Sequence, residues 1–91
     1  MPADLAIKIW KFEFPVNDVA WVRMPEGAKV LCVGTQQPNH ICLWALVDPD
    51  TVVTERKFLV RGTGHELVAA GENYLGTVFD GPFVWHVFGD N

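Results

Sequence analysis

Apolar and polar residues alternate along most of this chain with a period of two, the pattern of half-buried β-strands. Turn-forming residues bound each run and recur about every eight to twelve residues, a spacing typical of a sandwich or barrel. The pattern predicts an all-β fold, a small sandwich or partly open barrel of six or seven mostly antiparallel strands, arranged chiefly as a meander. We predict strands at residues 5–14, 19–24, 28–35, 40–47, 52–61, 74–79 and 83–88.

Three segments of the sequence give further information about structure and packing. In the first strand, Trp10, Phe12 and Phe14 share one face. Residues 40–47 are apolar on both faces, which indicates a central strand covered on one side by a second sheet and on the other by a partner subunit. Residues 66–72 are compatible with either a short helical turn or an edge strand.

Composition fits one small domain with a substantial core. The chain has 91 residues, of which 49% are hydrophobic, with four Trp and six Phe. A chain of this length forms a single domain, here residues 1–91, and large rings supply much burial per residue. The abundance of apolar groups, together with edge strands, leads us to expect a homo-oligomer rather than a monomer.

Charge and the absence of targeting signals limit the classes of partner and the cellular compartments that we expect. The formal net charge is −4, from seven Lys and Arg against eleven Asp and Glu, and no basic cluster is present. A duplex-binding protein needs a positive footprint, so we expect no nucleic-acid polymer as partner. No apolar run reaches the length of a membrane span, and the first residues lack the pattern of a signal peptide. We therefore expect a cytoplasmic protein in which Cys32 and Cys42 are reduced.

The segment from Arg61 to His65 carries the first candidate binding chemistry. Gly62 and Gly64 flank Thr63, so the backbone can approach a ligand closely and successive amides can form an anion nest. Arg61 adds a bidentate phosphate donor and Thr63 adds a hydroxyl. The structural alternative is a tight turn or bulge that His65 caps, because the segment has neither the lysine nor the βαβ setting of a phosphate loop.

A second candidate combines aromatic residues with His86. Alternation puts His86 on the face opposite Trp85, and both faces of that strand are apolar. His86 would contact a heteroatom of a ligand while Trp44 or Trp85 stacks on a flat ring. The alternative is a core histidine with one ring nitrogen bonded to a strand carbonyl.

Metal-binding and catalytic motifs have less support. The candidate zinc ligands are His40, Cys42 and Cys32, but zinc takes three or four ligands and no CxxC or HExxH spacing is present. The chain contains no serine, so Thr and Cys are the remaining nucleophiles, and both cysteines lie in apolar strands where burial dulls a thiol. We predict no metal and no cofactor, and we favour binding over catalysis.

Five blocks of sequence together resemble a family of short bacteriophage proteins. The blocks are residues 24–29 (MPEGAK), 42–49 (CLWALVDP), 62–65 (GTGH), 74–78 (YLGTV) and 81–88 (GPFVWHVF). The resemblance extends from about residue 7 to residue 88, nearly the whole chain. It implies an accessory protein acting in the cytoplasm of the infected bacterium, and it implies no catalytic residue.

Three functions remain open from the sequence. The first is a non-enzymatic binder that sequesters a small phosphate-bearing molecule, such as a nucleotide-type immune signal. Its phosphate site would be residues 61–65, with Trp44, Trp85 and His86 facing the base. The second is a protein-binding inhibitor of a host factor, suggested by the acidic charge and the aromatic residues. The third is a small hydrolase or isomerase that uses His65 or His86.

Overall fold

Seven β-strands and no helix form within residues 7–67 and 73–90, the part of the chain that the computed structural model describes. They make two antiparallel sheets packed face to face, so the all-β prediction is confirmed as a sandwich that does not close into a barrel. The strands are β1 (Lys8–Pro15), β2 (Val19–Pro25), β3 (Lys29–Gly34), β4 (His40–Val47), β5 (Val53–Gly62), β6 (Asn73–Asp80) and β7 (Phe83–Gly89).

The order of the strands differs from the predicted meander. One sheet has the order β1-β4-β3 and the other the order β2-β5-β7-β6. Among the strands of the described residues, only β3–β4 and β6–β7 are hairpins, and the other pairings join strands that are not consecutive. The meander prediction was wrong because alternation shows which side chains share a face, whereas it does not show which sheet a strand joins.

The core lies between the inner faces of the two sheets. Phe14 of β1 and Phe58 of β5 come from different sheets and stack with ring centroids 6.1 Å apart and an interplanar angle of 18°. Offset stacking of this kind adds to the stabilisation from area burial alone. The buried core residues are Phe14, Met24, Ala28, Val30, Ile41, Leu43, Ala45, Val47, Phe58, Val60, Val78 and Val87.

β4 is the middle strand of its sheet, as its two apolar faces predicted. Its inner face is buried against the second sheet, and Cys42 on its outer face is also completely buried. Burial raises the pKa of the Cys42 thiol. Both cysteines are free thiols, as expected, with Cys32 exposed. That a partner subunit covers the outer face of β4 stays a prediction.

The two long sides of the sandwich are built differently. On one side β3 lies close to β6, and a Cβ atom added at Gly76 would lie 2.5 Å from Cγ2 of Val33. Both of these strands carry a register shift, between Val30 and Cys32 and between Tyr74 and Gly76. On the other side β1 and β2 touch only sparsely. We call these the closed side and the open side.

Two predicted segments extend beyond the described residues. Residues 5 and 6 of the first predicted strand lie outside them, and so do residues 68–72 of the ambiguous segment. Glu66 and Leu67, which begin that segment, lie in neither a helix nor a strand. In residues 7–67 and 73–90, nothing forms a helix of the length and apolarity needed to cross a membrane.

Candidate functional site

The segment from Gly62 to His65 is a tight turn at the end of β5. The amide of His65 donates to the carbonyl oxygen of Gly62 at 3.0 Å, and Gly64 has a φ of 90°. A positive φ at the third residue is the requirement of a type II turn, which glycine meets without steric cost. The imidazole of His65 folds back over the turn, where its Nδ1 accepts the Gly62 amide at 3.1 Å.

The glycines and amides of this turn therefore serve the turn itself. A Cβ atom at Gly62 would lie 2.8 Å from Cε1 of His65, so the ring can pack there only against a glycine. The amide of Thr63 donates to the carbonyl oxygen of Val84 at 3.3 Å. Since the amides of Gly62, Thr63 and His65 all donate within the protein, the segment resembles the structural alternative more than an open anion nest.

Arg61 is held by main-chain oxygens on the outer face of β5. Its Nη1 donates to the carbonyl oxygens of Asp18 at 2.8 Å and of Val60 at 2.9 Å. The groove beside it, of about 490 Å³, is lined by Asp18, Arg61, His65 and Glu66. Two acidic residues share the groove with the guanidinium, so a phosphate would enter against negative charge.

His86 belongs to a chain of four side chains on the outer face of the second sheet. Its Nε2 lies 2.8 Å from Oγ1 of Thr63, and its Nδ1 lies 3.0 Å from Oγ1 of Thr77. The hydroxyl of Tyr74 lies 2.5 Å from Oγ1 of Thr77 and ends the chain. Both ring nitrogens of this half-buried histidine are therefore occupied by hydroxyl groups of the protein.

Sequence reasoning missed Thr77 and Tyr74. Simple alternation puts residues 74 and 77 on opposite faces of a strand. The register shift between Tyr74 and Gly76 instead turns both side chains to the same face, where Tyr74 pairs with Phe88 and Thr77 with His86. A bulge of this kind leaves no clear signal in a single sequence beyond the glycine itself.

Trp85 lies on the opposite face of β7 from His86, toward the interior. Its indole stacks on Phe83, with ring centroids 5.6 Å apart and an interplanar angle of 17°. The indole Nε1 donates to Oδ2 of Asp80 at 3.4 Å, and the same oxygen accepts the Asn39 amide at 2.9 Å. Asp80 thus fixes the indole and joins the β6–β7 hairpin to the β3–β4 hairpin of the other sheet.

Trp44 is remote from the other candidates. It lies on the outer face of the three-stranded sheet, opposite Lys11 and Cys32, and its ring packs beside Gly34. Arg61 and His86 lie on the outer face of the other sheet, so the two sheets separate them from Trp44. The structure does not bring Trp44 together with the predicted ligand site.

The remaining predicted residues line two neighbouring clefts that share the turn. The first, the aromatic cleft, encloses about 380 Å³ and is lined by Gly62, Thr63, His65, Pro82, Phe83, Val84 and Trp85. The second encloses about 220 Å³ and includes Arg61, Thr63, Gly64 and His86. Trp85 and His86 thus face different clefts. Phe83 and Asp80 were absent from the predicted site, although the spacing Phe83-x-Trp85 signals two rings on one face.

The described residues do not form a cluster of metal-binding side chains. Across residues 7–67 and 73–90, no group of three or more His, Cys, Asp or Glu side chains is close enough to hold a metal ion. His40, one of the candidate zinc ligands, directs Nδ1 to the carbonyl oxygen of Pro38 at 3.1 Å.

Comparison with known proteins places the chain in a family and gives no activity. Neither the curated proteins nor the solved structures include a match to it. A family model does match, over residues 6–91, and it is described as a domain of unknown function. Since that match covers nearly the whole sandwich, the chain belongs to the DUF7352 family.

Proposed function

We propose that this chain is a non-enzymatic protein-interaction domain that binds its partner through Phe83 and the aromatic cleft. The observation that carries the proposal is the state of Phe83. Its side chain is 55% exposed, yet its ring is stacked on Trp85 rather than free to rotate. Large exposed aromatic anchors of this kind supply much of the binding energy in protein interfaces.

The anchor is rigid before any partner arrives. Asp80 holds the indole of Trp85, and its bond to the Asn39 amide fixes the hairpin that carries Phe83. Binding to a rigid surface avoids the entropy cost of ordering side chains at the interface. The Phe83–Trp85 pair is therefore preorganised in the way that a recognition surface requires.

Clefts on both sides of Phe83 suit apolar side chains of a partner. The aromatic cleft lies on one side, and a groove of about 380 Å³ lined by Pro38, Asn39, Asp80, Gly81, Pro82 and Phe83 lies on the other. Thr63 and His65 contribute polar residues to the lining of the aromatic cleft. An apolar centre within a polar rim is the usual composition of a protein interface.

The resemblance to bacteriophage proteins suggests where to look for the partner. Proteins of the infected bacterium are the first class of partner to test. This is the second of the three functions derived from the sequence, an inhibitor that binds a host factor. The net charge of −4 favours a partner with a neutral or basic contact surface.

Sequestration of a small phosphate-bearing molecule stays a competing prediction. The turn at residues 62–65 and Arg61 border two clefts that could take such a ligand. The geometry supports it less well, because several of the groups it needs already have partners within the protein. These are Nη1 of Arg61, the amides of Gly62, Thr63 and His65, and both nitrogens of His86.

Hydrolysis is the third alternative, and one contact favours it. Thr63 Oγ1 lies 2.8 Å from Nε2 of His86, the arrangement of a nucleophile with its base. The group that orients His86 is the hydroxyl of Thr77 rather than a carboxylate, so it gives little stabilisation to a protonated ring.

Affinity capture with matched variants tests the proposal. Immobilised wild-type protein, Phe83→Ala and Phe79→Ala are incubated with bacterial lysate, and bound proteins are quantified by mass spectrometry. Phe79 is the control because it is 75% exposed and lies on the outer face of the same hairpin. We expect Phe83→Ala to weaken the binding of a specific partner by about 30-fold, the value of a hot-spot ring of about 2 kcal/mol. Phe79→Ala should have little effect.

Equal losses in both variants would contradict the proposal, because they would indicate general adhesion of exposed rings. Thermal melting with nucleotides and with inorganic phosphate distinguishes the competing prediction. We expect no change in Tm, whereas a rise that Arg61→Ala abolishes would favour the small phosphate-bearing ligand. Turnover of an ester substrate that is lost in His86→Ala would favour the hydrolase.

A further inference from the structure

The free edge of β1 is an unused pairing surface. β1 pairs with β4, and no other strand of residues 7–67 and 73–90 pairs with it. The Val16 amide donates to the Asn39 carbonyl at 2.9 Å, which continues the β1–β4 ladder. Because hydrogen-bonded residues alternate along an antiparallel ladder, the even-numbered residues of β1 bond to β4. The main-chain groups of Ile9, Lys11 and Glu13 therefore point away from the sheet.

Apolar side chains accompany these free main-chain groups. Ile9 is 60% exposed, and Trp10, which lies on the inner face of the sheet, is still 40% exposed. Phe12 also faces inward and is only partly buried against the core. The core is thus uncovered where β1 and β2 form the open side.

We propose that β1 pairs antiparallel with β1 of a second copy of this chain, about a two-fold axis that passes beside Phe12. Charge complementarity argues for this occupant. In this register Lys11 lies opposite Glu13 of the partner subunit, and Glu13 lies opposite Lys11 of the partner subunit. A two-fold interface uses one surface twice, so a strand with one cation and one anion equidistant from the axis complements itself.

Neighbouring registers lack this match. Moving the axis to residue 11 puts Lys11 opposite Lys11 of the partner subunit, and moving it to residue 13 puts the two Glu13 carboxylates opposite each other. Directly opposed like charges destabilise a strand pair. Pro15 ends the ladder, because it has no amide hydrogen to donate to Ile9 of the partner subunit.

The pairing also covers the exposed part of the core. Phe12 would face Phe12 of the partner subunit across the axis, and Trp10 would face Phe14 of the partner subunit on the same inner face. Each sheet β1-β4-β3 would become half of a continuous six-stranded sheet. Aromatic pairs across antiparallel strands are among the stabilising contacts of a sheet.

The existing contacts of the two charged side chains are compatible with the pairing. Lys11 donates to Oε1 of Gln36 at 2.9 Å, and Glu13 accepts from Nε2 of Gln37 at 2.7 Å through one carboxylate oxygen. An ammonium group has further donors, and the second carboxylate oxygen of Glu13 can accept from the partner subunit. β1 contributes nothing to the aromatic cleft, so this inference does not rest on the proposed function.

Native mass with charge-reversal variants tests the register. The chain of 10.2 kDa should behave as a dimer in analytical ultracentrifugation. Lys11→Glu and Glu13→Lys should each raise the dimer dissociation constant by roughly tenfold or more, because each puts like charges opposite each other twice. Lys8→Glu is the matched control, since it changes net charge equally and lies beyond the paired residues. An equimolar mixture of the Lys11→Glu and Glu13→Lys proteins should restore the dimer.

Cross-linking gives a test that does not depend on charge. Residues opposite each other at a non-hydrogen-bonded position have Cα atoms about 4.5 Å apart, within the range of a disulfide. In a Cys32→Ser background, mild oxidation should cross-link the Phe12→Cys protein and leave the Trp10→Cys protein monomeric on a non-reducing gel. A monomeric wild type, a mixture that stays monomeric, dissociation by Lys8→Glu, or cross-linking through position 10 alone would overturn the proposal.

Discussion

The edge strands on the closed side of the sandwich are built to discourage pairing with another chain, whereas the edge strands on the open side are not. On the closed side, β3 and β6 each carry a bulge, and they approach until Val33 lies against the backbone of Gly76. On the open side, β1 and β2 keep an unbroken register and expose Ile9 and Trp21. Bulges twist an edge strand and discourage pairing with another chain, whereas a straight apolar edge invites it.

The comparison shows that the two edges of one small sheet can have separate roles. β4 lies in the middle of its sheet, so β3 and β1 are its two edges. The bulged edge strand β3 packs beside β6 of the same protomer, and the straight edge of β1 remains available to a second copy. The positions of two kinds of residue agree with this division. Gly76, which allows the close approach, lies in β6, and the lysine and glutamate of the proposed intersubunit pairing lie in β1.

Gly76→Ala should break the closed side and gives the largest expected effect. The added Cβ atom would lie 2.5 Å from Cγ2 of Val33, and the β-branched valine has little freedom to move. We expect a loss of up to about 3 kcal/mol in the free energy of unfolding, the cost of overpacking a tight site. Urea denaturation measures it, and adding Val33→Ala should recover part of the loss. No recovery would indicate that the two sheets do not meet there.

A matched pair of valines compares the two sides directly. Val78 of β6 and Val22 of β2 both pack against the core, but Val78 is almost fully buried whereas Val22 is only partly buried. We expect Val78→Ala to lower the free energy of unfolding by about 2 kcal/mol and Val22→Ala by about 1 kcal/mol, because the partly exposed site on the open side leaves a smaller cavity. Both are measured by urea denaturation at the same protein concentration. Similar losses would contradict the distinction between a closed and an open side.

Acid titration of Glu13 should give the smallest effect, on the open side. The hydrogen bond from Gln37 lowers the pKa of the Glu13 carboxyl from its ordinary value. A lowered pKa in the folded state stabilises the protein above the unfolded pKa, and this is lost as pH falls through the folded value. NMR titration of the carboxyl carbon measures the shift, and Gln37→Ala should move the pKa upward. An unchanged pKa in that variant would rule out the hydrogen bond in solution.

Much of the fold could be predicted from alternation and turn residues. The predicted strand at residues 40–47 coincides with β4, and the turn at Pro25 and Gly27 lies where the chain passes between sheets. The strand order could not be predicted, since pairing between β1 and β4 or between β2 and β5 depends on contacts far apart in sequence.

The candidate site was predictable only in part, for a similar reason. Alternation correctly separated Trp85 from His86, and local sequence marked the turn at residues 62–65. Trp44 was included because its type suits stacking, although residue type carries no information about which sheet a strand enters. Asp80 could not be recognised, because its role is defined by an amide at Asn39 in a hairpin of the other sheet.

The strand order also determines how the chain must fold. The β3–β4 and β6–β7 hairpins pair strands that are consecutive in the chain. By contrast, β1 cannot pair until β4 is available, and β2 cannot pair until β5 is available. Closing those long loops before their contacts form carries an entropy cost, so proteins of this topology fold slowly compared with helical bundles of equal length. Until β4 has been synthesised, the main-chain hydrogen-bonding groups on both edges of β1 have no strand to pair with, and its apolar side chains are exposed. The nascent chain is then at its most prone to aggregation, and early synthesis of β1 prolongs that interval.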